Sequence, residues 1–182
     1  AMLMKAAPAA ARKYGRWGAT PLHCAASQGH AAAIRVLLAA DPGAARVDKD
    51  ESLLPRMHQL LFEMGFTDEA PASDKALPLH CAASSGKAAA VDALLAAYPS
   101  AAAVADSGGR YPLHRACAAR NSEAEAVRLL LAAHPEAARV ADGNGKLPLQ
   151  LAVQQRHTAA VQLLLATYPD SASVADKQGR LP

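Results

Sequence analysis

Internal repetition constrains the fold of this chain more than any other feature of its sequence. In each repeat a Pro-Leu dipeptide opens an alanine-rich run, and a second proline follows a Leu-Leu-Ala segment. The first proline stands at Pro21, Pro78, Pro112 and Pro148, and the second at Pro42, Pro99, Pro135 and Pro169. Regular spacing of this kind is typical of repeat architectures, in which each unit buries its apolar face against the next unit.

The positions of the two prolines define the period, which is the interval from Pro78 to Pro112, or about 34 residues. The interval from the first proline to the second is the same in three repeats and longer by two positions in the repeat that opens at Pro112. The interval from the second proline to the next first proline is likewise constant, except after Pro42, where it is much longer. Two positions are therefore added near 120–124, and 23 are added between 48 and 77.

The intervals predict a single domain over 1–182. It comprises a half-repeat at 1–18, repeats that start near 19, 76, 110 and 146, the start of a further repeat at 176–182, and an insert at about 49–75. Because both ends fall inside a repeat, we expect the chain to be a piece of a longer protein. Segment 1–17 is alanine-rich and basic like a transit peptide, but its phase predicts the tail of a preceding repeat.

The residue types within one period predict a pair of helices. Proline in a first helical turn costs no hydrogen bond and presets φ, so a short first helix is expected over Pro21–Ser27. Gly29, or Gly86 one repeat later, suits the left-handed turn that ends such a helix. Apolar residues at helical spacing, beginning with Ile34, predict a second helix that Pro42 ends. Glycines three positions before a motif proline mark the connecting hairpins: Gly18, Gly109, Gly145 and Gly179.

The composition agrees with closely packed helices. Alanine accounts for 47 of the 182 residues, and aromatic residues for only 4%. Such a core suits an all-α fold better than a sheet sandwich filled by large side chains. The net charge is +3, with 19 Lys and Arg against 16 Asp and Glu, which argues against a strongly basic nucleic-acid-binding domain.

The repeated motif Pro-Leu-His-x-Ala-Ala, followed by an apolar helix ending in Leu-Leu, resembles the ankyrin repeat. Four segments carry it: Thr20–Ala26, Leu77–Ala83, Tyr111–Cys117 and Leu147–Val153. The resemblance implies an ankyrin-repeat solenoid of stacked helix-turn-helix units with hairpin fingers. Only Thr20 keeps the motif's threonine, so three first helices are expected to lose a hydroxyl cap. Gln150 replaces the motif histidine.

Neither an enzyme nor a metal site is indicated. His23-Cys24 and His80-Cys81 recur only because the repeat does, and His114 with Cys117 makes one pair without the further ligands that zinc requires. We therefore predict no catalytic residues, no metal and no cofactor. Three cysteines are too few for a disulfide framework, which favours an intracellular, cytoplasmic location. No apolar run is long enough for membrane insertion.

The insert is predicted to contain a short helix over Ser52–Phe66 with one apolar stripe. The stripe has three interpretations. It could bind a partner, it could fold back on the array, or it could be the remnant of a decayed repeat, since Pro55 lies one period after Pro21.

The resemblance also implies a function, which is to bind another protein through the hairpin tips and the exposed side of the first helices. By phase, this surface comprises Arg16, Trp17, Ala19, Ser27, Gln28, Ser84, Ser85, Ser107, Gly108, Arg110, Ala118, Ala119, Asn144, Lys146, Gln154, Gln155, Lys177 and Arg180. Trp17, the only tryptophan, is of a residue type that anchors interfaces. The alternatives are a regulatory ankyrin region of a larger enzyme or channel, and a structural subunit of a large assembly.

Three residues of this surface, Arg110, Lys146 and Arg180, form what we call the basic row. Each lies two positions before a motif proline, so stacking is expected to place them about 10 Å apart. At that spacing their charges reinforce one another, which predicts an acidic segment as the partner. The competing interpretation is that these residues only keep an alanine-rich surface soluble.

Overall fold

The computed structural model describes residues 19–46 and 75–182, which form a stack of helix pairs. The first helices of the pairs are α1 (Pro21–Ser27), α3 (Pro78–Ser85), α5 (Pro112–Ala118) and α7 (Pro148–Gln154). The second helices are α2 (Ala31–Ala40), α4 (Ala88–Ala97), α6 (Ala124–Ala133) and α8 (Thr158–Thr167). The described ranges contain no strand. The half-repeat at 1–18 and almost all of the insert lie outside the described residues.

Each first helix begins at its motif proline, and the motif histidine or its replacement holds the start in place. In the first repeat the Thr20 hydroxyl accepts a hydrogen bond from the His23 backbone N–H at 3.4 Å, and Thr20 N–H donates back to the ring nitrogen Nδ1 at 3.2 Å. The three other first helices lack the hydroxyl cap, as predicted. They keep the returning bond, with Gln150 Oε1 in place of a histidine nitrogen at 2.8 Å in the last of them.

Like elements stack on like elements along the array. The first helices pack in the order α1, α3, α5, α7, and the second helices in the order α2, α4, α6, α8. One leucine per first helix is at most 2% exposed: Leu22, Leu79, Leu113 and Leu149. Burying a leucine contributes about 1.5–3 kcal/mol, and the small alanines between them let neighbouring helices approach closely. The core is therefore one continuous seam between the two layers.

The second helices end just before the second proline, as predicted. Ala40 is the last residue of α2, and Pro42 opens a 3-10 helix rather than an irregular loop. The 3-10 helices were not predicted, and they recur at Pro42–Arg46, Pro99–Ala103, Pro135–Arg139 and Pro169–Ser173. Their buried small residues, such as Ala44 and Ala45, extend the core beneath the hairpins. Two of them also reach the next repeat, since Arg46 lies over the ring of Tyr98 and Arg139 over that of Tyr168.

Candidate protein-interaction surface

Within the part of the chain that the structure describes, three hairpins project from the stack, and each is closed by an aspartate: Asp106, Asp142 and Asp176. The Oδ1 atom of each accepts hydrogen bonds from the backbone N–H groups two and four positions later, at 2.8–2.9 Å. The glycines predicted to turn these hairpins, Gly109, Gly145 and Gly179, all have positive φ. These aspartates were not predicted from the sequence, although each stands four positions before a member of the basic row.

The hairpins are also bonded to one another. Gly143 N–H donates to the carbonyl oxygen of Gly108 at 2.8 Å, and Lys177 Nζ donates to the carbonyl oxygen of Gly143 at 2.5 Å. A Cβ added at Gly143 would lie 2.7 Å from the Gly108 oxygen, so the two backbones are in close contact. The hairpin tips therefore form one pre-ordered surface rather than three independent loops.

The structure places the predicted interaction residues in the described ranges on the outside of the stack. All of the following are exposed or half-exposed: Ser27, Gln28, Ser84, Ser85, Ser107, Arg110, Asn144, Lys146, Gln154, Gln155, Lys177 and Arg180. The lesser candidates Ala19, Gly108, Ala118 and Ala119 are likewise accessible. Arg16 and Trp17 lie outside the described residues, and their assignment stays a prediction.

The basic row is less positive than its sequence suggested. Arg110 Nε lies 3.2 Å from Asp106 Oδ2, and Arg180 Nη2 lies 2.9 Å from Asp176 Oδ2. The periodic positions of the basic residues alone do not reveal these buried carboxylates. Lys146, in contrast, extends its ammonium group to Gln154 Oε1 at 3.1 Å. The row therefore carries partly compensated charge rather than three unopposed cations.

Asp106 differs from the other two aspartates because a second arginine reaches it. Arg115, on α5, donates to Asp106 Oδ2 from Nε at 2.8 Å and from Nη2 at 2.6 Å. Burial raises the pKa of Asp106, but the hydrogen bond from Arg110 N–H and the Arg115 guanidinium outweigh burial and leave the pKa below its usual value. One buried carboxylate is therefore shared by two guanidinium groups.

The sequence falls into a known family across nearly its whole length. A family model described as ankyrin repeats in three copies matches residues 2–99, 44–131 and 79–177. The chain belongs to the ankyrin-repeat family. Together with the eight helices of the described ranges, this confirms the predicted all-α ankyrin solenoid. Ankyrin repeats bind proteins, and the family is typically non-enzymatic. No curated protein matches the sequence.

The ankyrin motif histidines connect one repeat to the next. The Nε2 atoms of His23, His80 and His114 lie 2.9–3.1 Å from the carbonyl oxygens of Ala76, Arg110 and Val140 respectively. Nδ1 of each ring accepts a backbone N–H, so Nε2 carries the proton and donates. Burial lowers the pKa of His114, which keeps that ring neutral. These histidines therefore stabilise the stack by linking neighbouring repeats.

The thiols have separate positions in the ankyrin stack. Cys24 is exposed, Cys81 half-buried and Cys117 buried, where desolvation raises its pKa to about 12. Among the residues that the structure describes, no group of three or more His, Cys, Asp and Glu side chains is placed to hold a metal ion.

In the same residues, no helix has the length and apolar character needed to cross a bilayer.

One row of this ankyrin surface was not predicted from the sequence. The variable residue after the motif histidine or its replacement is accessible in every described repeat, and it is Cys24, Cys81, Arg115 or Leu151. Val153, near the end of α7, is also 40% exposed. The signal was present in the sequence, because this is the variable position inside an otherwise fixed Pro-Leu-His-x-Ala motif.

Proposed function

We propose that this chain is a non-enzymatic protein-protein interaction scaffold whose partner lies along the hairpin tips and the first helices. Apart from Arg115, every accessible side chain of the four described first helices is uncharged. Depletion of charge is characteristic of the centres of protein interfaces. This observation carries the proposal.

The hydrogen bonds between hairpins support the proposed binding face, because they lower the entropic cost of binding there. Binding to a loop that is disordered beforehand costs the conformational entropy of ordering it. The backbone bond between Gly143 and Gly108 and the aspartate-closed turns fix the tips in advance. A partner at this edge therefore meets a surface that needs little reorganisation.

Two finer elements belong to the same proposal. An acidic segment is the partner that the basic row favours, with Lys146 contributing more than Arg180, whose charge Asp176 offsets. Charges of this kind chiefly raise the association rate. We also propose a cytoplasmic location, since the three cysteines carry thiols rather than disulfides.

Site-specific photo-crosslinking tests the proposed face. A benzophenone amino acid replaces Asn144 at a hairpin tip or Gln154 at the end of α7, and the full chain is irradiated in extracts of its own cells. Gln162, an accessible glutamine on α8 of the same repeat, is the matched control. We expect one crosslinked protein from the first two positions and none from Gln162. Crosslinking from Gln162 alone, or equally from all three positions, contradicts the proposal.

A further inference from the structure

Arg120 and Arg156 lie eight positions after the motif proline, where the first two described repeats have glycine. Gly29 and Gly86 have φ of +69° and +70° there, and Arg156 has φ of +60°. This left-handed region is unfavourable for a residue with a side chain. Backbone strain of this kind is concentrated at binding and switch sites. Local stability therefore does not account for an arginine at position 156.

The side chains of Arg120 and Arg156 have no partner in the described part of the chain. Both residues are exposed. Neither guanidinium group makes a hydrogen bond, an ion pair or a ring contact with a described residue. Both guanidinium groups are thus accessible to a ligand that approaches from outside the stack.

The two carboxylates that are closest to these arginines in sequence are engaged elsewhere. Glu123 accepts a hydrogen bond from Ala88 N–H at 2.9 Å and another from Lys87 Nζ at 3.3 Å, both in the preceding repeat. Glu125 is paired with Arg128 on the same helix. Neither carboxylate is left to offset the charge of the two arginines.

The turns that carry the arginines, 119–123 and 155–157, are bonded to each other. Nε2 of His157 lies 2.9 Å from the carbonyl oxygen of Arg120, and neighbouring helices pack about 10 Å apart. In the described residues, the buried side-chain oxygen and nitrogen atoms without a hydrogen-bond partner are Ser122 Oγ and His157 Nδ1. Buried polar atoms are normally paired, and local departures from such rules are expected at functional sites. Strain, unpaired polar atoms and uncompensated charge therefore coincide in these two turns.

We propose that these two turns, which we call the arginine turns, form a second interaction surface that binds an acidic segment of a partner polypeptide through Arg120 and Arg156. The inference goes beyond the proposed function, because the arginine turns lie at the opposite ends of the first helices from the hairpins. Guanidinium groups bind carboxylates through paired, charge-assisted hydrogen bonds. A nucleic acid is disfavoured, since its binding depends on many phosphate contacts and two arginines supply few.

Titration of the full chain with a hexaglutamate peptide capped at both ends tests the inference, and capped hexaglutamine is the matched control. In ¹H–¹⁵N spectra at an ionic strength of about 0.1 M, we expect hexaglutamate to shift the Nε–H signals of Arg120 and Arg156 and the backbone signal of Asn121. Hexaglutamine should shift none of them. The backbone signal of Asn144 reports binding at the hairpins in the same spectra, so the two surfaces are read separately.

Four variants assign the binding to the arginine turns. Arg156→Gly and Arg120→Gln should each weaken hexaglutamate binding about fivefold, as read from the Asn121 signal. Arg156→Gly places glycine at a positive φ that glycine adopts readily, so its loss of binding is not a loss of folding. Arg156→Lys keeps the charge and should bind within about twofold of wild type. Arg35→Gln removes an exposed arginine from α2, at least two repeats away, and should change affinity less than about twofold.

The outcomes separate this inference from the proposed function. Equal weakening by Arg35→Gln, or unchanged affinity in Arg156→Gly and Arg120→Gln, overturns the arginine turns as a binding surface. Absence of a shift at Asn121 also overturns it, and a shift at Asn144 in the same spectra would leave the hairpins as the binding face. Larger shifts at Asn121 with hexathymidylate than with hexaglutamate, at equal concentration, overturn the assignment to a polypeptide. Crosslinking from Asn144 and Gln154 tests the proposed function independently.

Discussion

Both edges of the stack consist of segments that connect one helix to the next, but the contacts that stabilise these segments differ between the two edges. The hairpin edge comprises residues 104–111, 140–147 and 174–181, and the turn edge, which joins the first and second helix of each pair, comprises residues 28–30, 86–87, 119–123 and 155–157. At the hairpin edge these three hairpins use the same aspartate bonds at the same spacing. At the turn edge the repeats differ from one another.

The differences at the turn edge follow from the residue eight positions after the motif proline. This residue is Gly29, Gly86, Arg120 or Arg156. Gly29, Gly86 and Arg156 have φ of +69°, +70° and +60°, so arginine here occupies the left-handed region that glycine adopts readily. In the third described repeat, α5 ends at Ala118, the next residue Ala119 is extended, and the two added residues make a longer turn.

That longer turn packs against the preceding repeat. Glu123 N–H donates to the carbonyl oxygen of Gly86 at 2.8 Å, and a Cβ at Gly86 would lie 2.6 Å from Ser122 Cα. The Glu123 carboxylate accepts from Ala88 N–H, the first residue of α4, at 2.9 Å. A contact that recurs in every repeat can be inferred from the sequence of one repeat. The contacts of the longer turn with the preceding repeat, in contrast, occur once, because they depend on which two repeats are neighbours.

Replacing Gly86 with alanine should produce the largest effect on stability. The new Cβ meets backbone atoms of Ser122 and Asn121, and alanine is strained at φ +70°. We expect the free energy of unfolding in urea to fall by about 3 kcal/mol. Gly29→Ala is the matched control, since φ is the same but its Cβ meets side-chain atoms of Lys87 and Ser85 rather than backbone, and it should cost less, about 1–2 kcal/mol. Equal losses in the two variants would show that the contact with the longer turn is unimportant.

The three hairpins have the same backbone hydrogen bonds, and replacing Asp106 with asparagine tests whether their aspartates contribute equally to stability. Asparagine Oδ1 can still accept the two loop bonds, so the variant removes chiefly the charge shared with Arg110 and Arg115. Asp142→Asn makes the same change in the next hairpin, where the loop bonds are the same but no arginine of the described residues pairs with the carboxylate. We expect Asp106→Asn to cost about 2 kcal/mol more than Asp142→Asn in urea unfolding. Similar costs would mean that the ion pairs contribute nothing net.

The charge of Asp106 should also make the stability of the chain depend on pH. The folded-state pKa of Asp106 is lowered, so its contribution is complete above the unfolded value of about 3.9 and is lost as pH falls through the lower folded value. Below about pH 4 the wild-type chain should therefore lose more stability than Asp106→Asn does. Parallel pH profiles for the two proteins would contradict this assignment.

Replacing Arg156, which has a strained positive φ at the turn edge, should have a smaller effect on the free energy of unfolding, and this effect should be stabilising. Arg156→Gly places glycine at φ +60°, where an L side chain costs about 1–2 kcal/mol, and part of this gain is offset by the flexibility of glycine in the unfolded chain. We expect a rise of about 1 kcal/mol in unfolding free energy. Arg156→Ala removes the same side chain without relieving the backbone and should not stabilise. A gain in both variants would point to the arginine side chain instead.

The smallest effect is expected at Glu123. Its hydrogen bond with Ala88 N–H, and then with Lys87, lowers its pKa, but the group is exposed and salt screens it. Glu123→Ala should cost about 0.5 kcal/mol, near the lower limit for a helix cap, and Glu123→Gln should cost less because it keeps an acceptor. The thermal unfolding midpoint in low salt is the sensitive measurement. A loss as large as that of Gly86→Ala would place this contact among the main links between repeats.

The sequence by itself determined the helices, the hairpins and the family. The first helix was predicted over Pro21–Ser27 and lies there, and Gly29 and Gly86 have the predicted left-handed conformation. The hairpins turn at Gly109, Gly145 and Gly179, the positions predicted for the turns. These features depend on interactions within one period, so four copies of the same pattern reinforce the prediction. The accessible hairpin and first-helix residues could be located by phase for the same reason.

Only the tertiary structure decided the charge of the surface and the links of the turn edge. Arg115 reaches an aspartate nine positions earlier in the chain, and the Glu123 carboxylate reaches an amide 35 positions earlier. Neither contact follows from the period, because each needs a particular residue in one repeat and a particular partner in the hairpin or repeat beside it. The electrostatics of the surface thus depend on buried partners that appear only once the repeats are stacked.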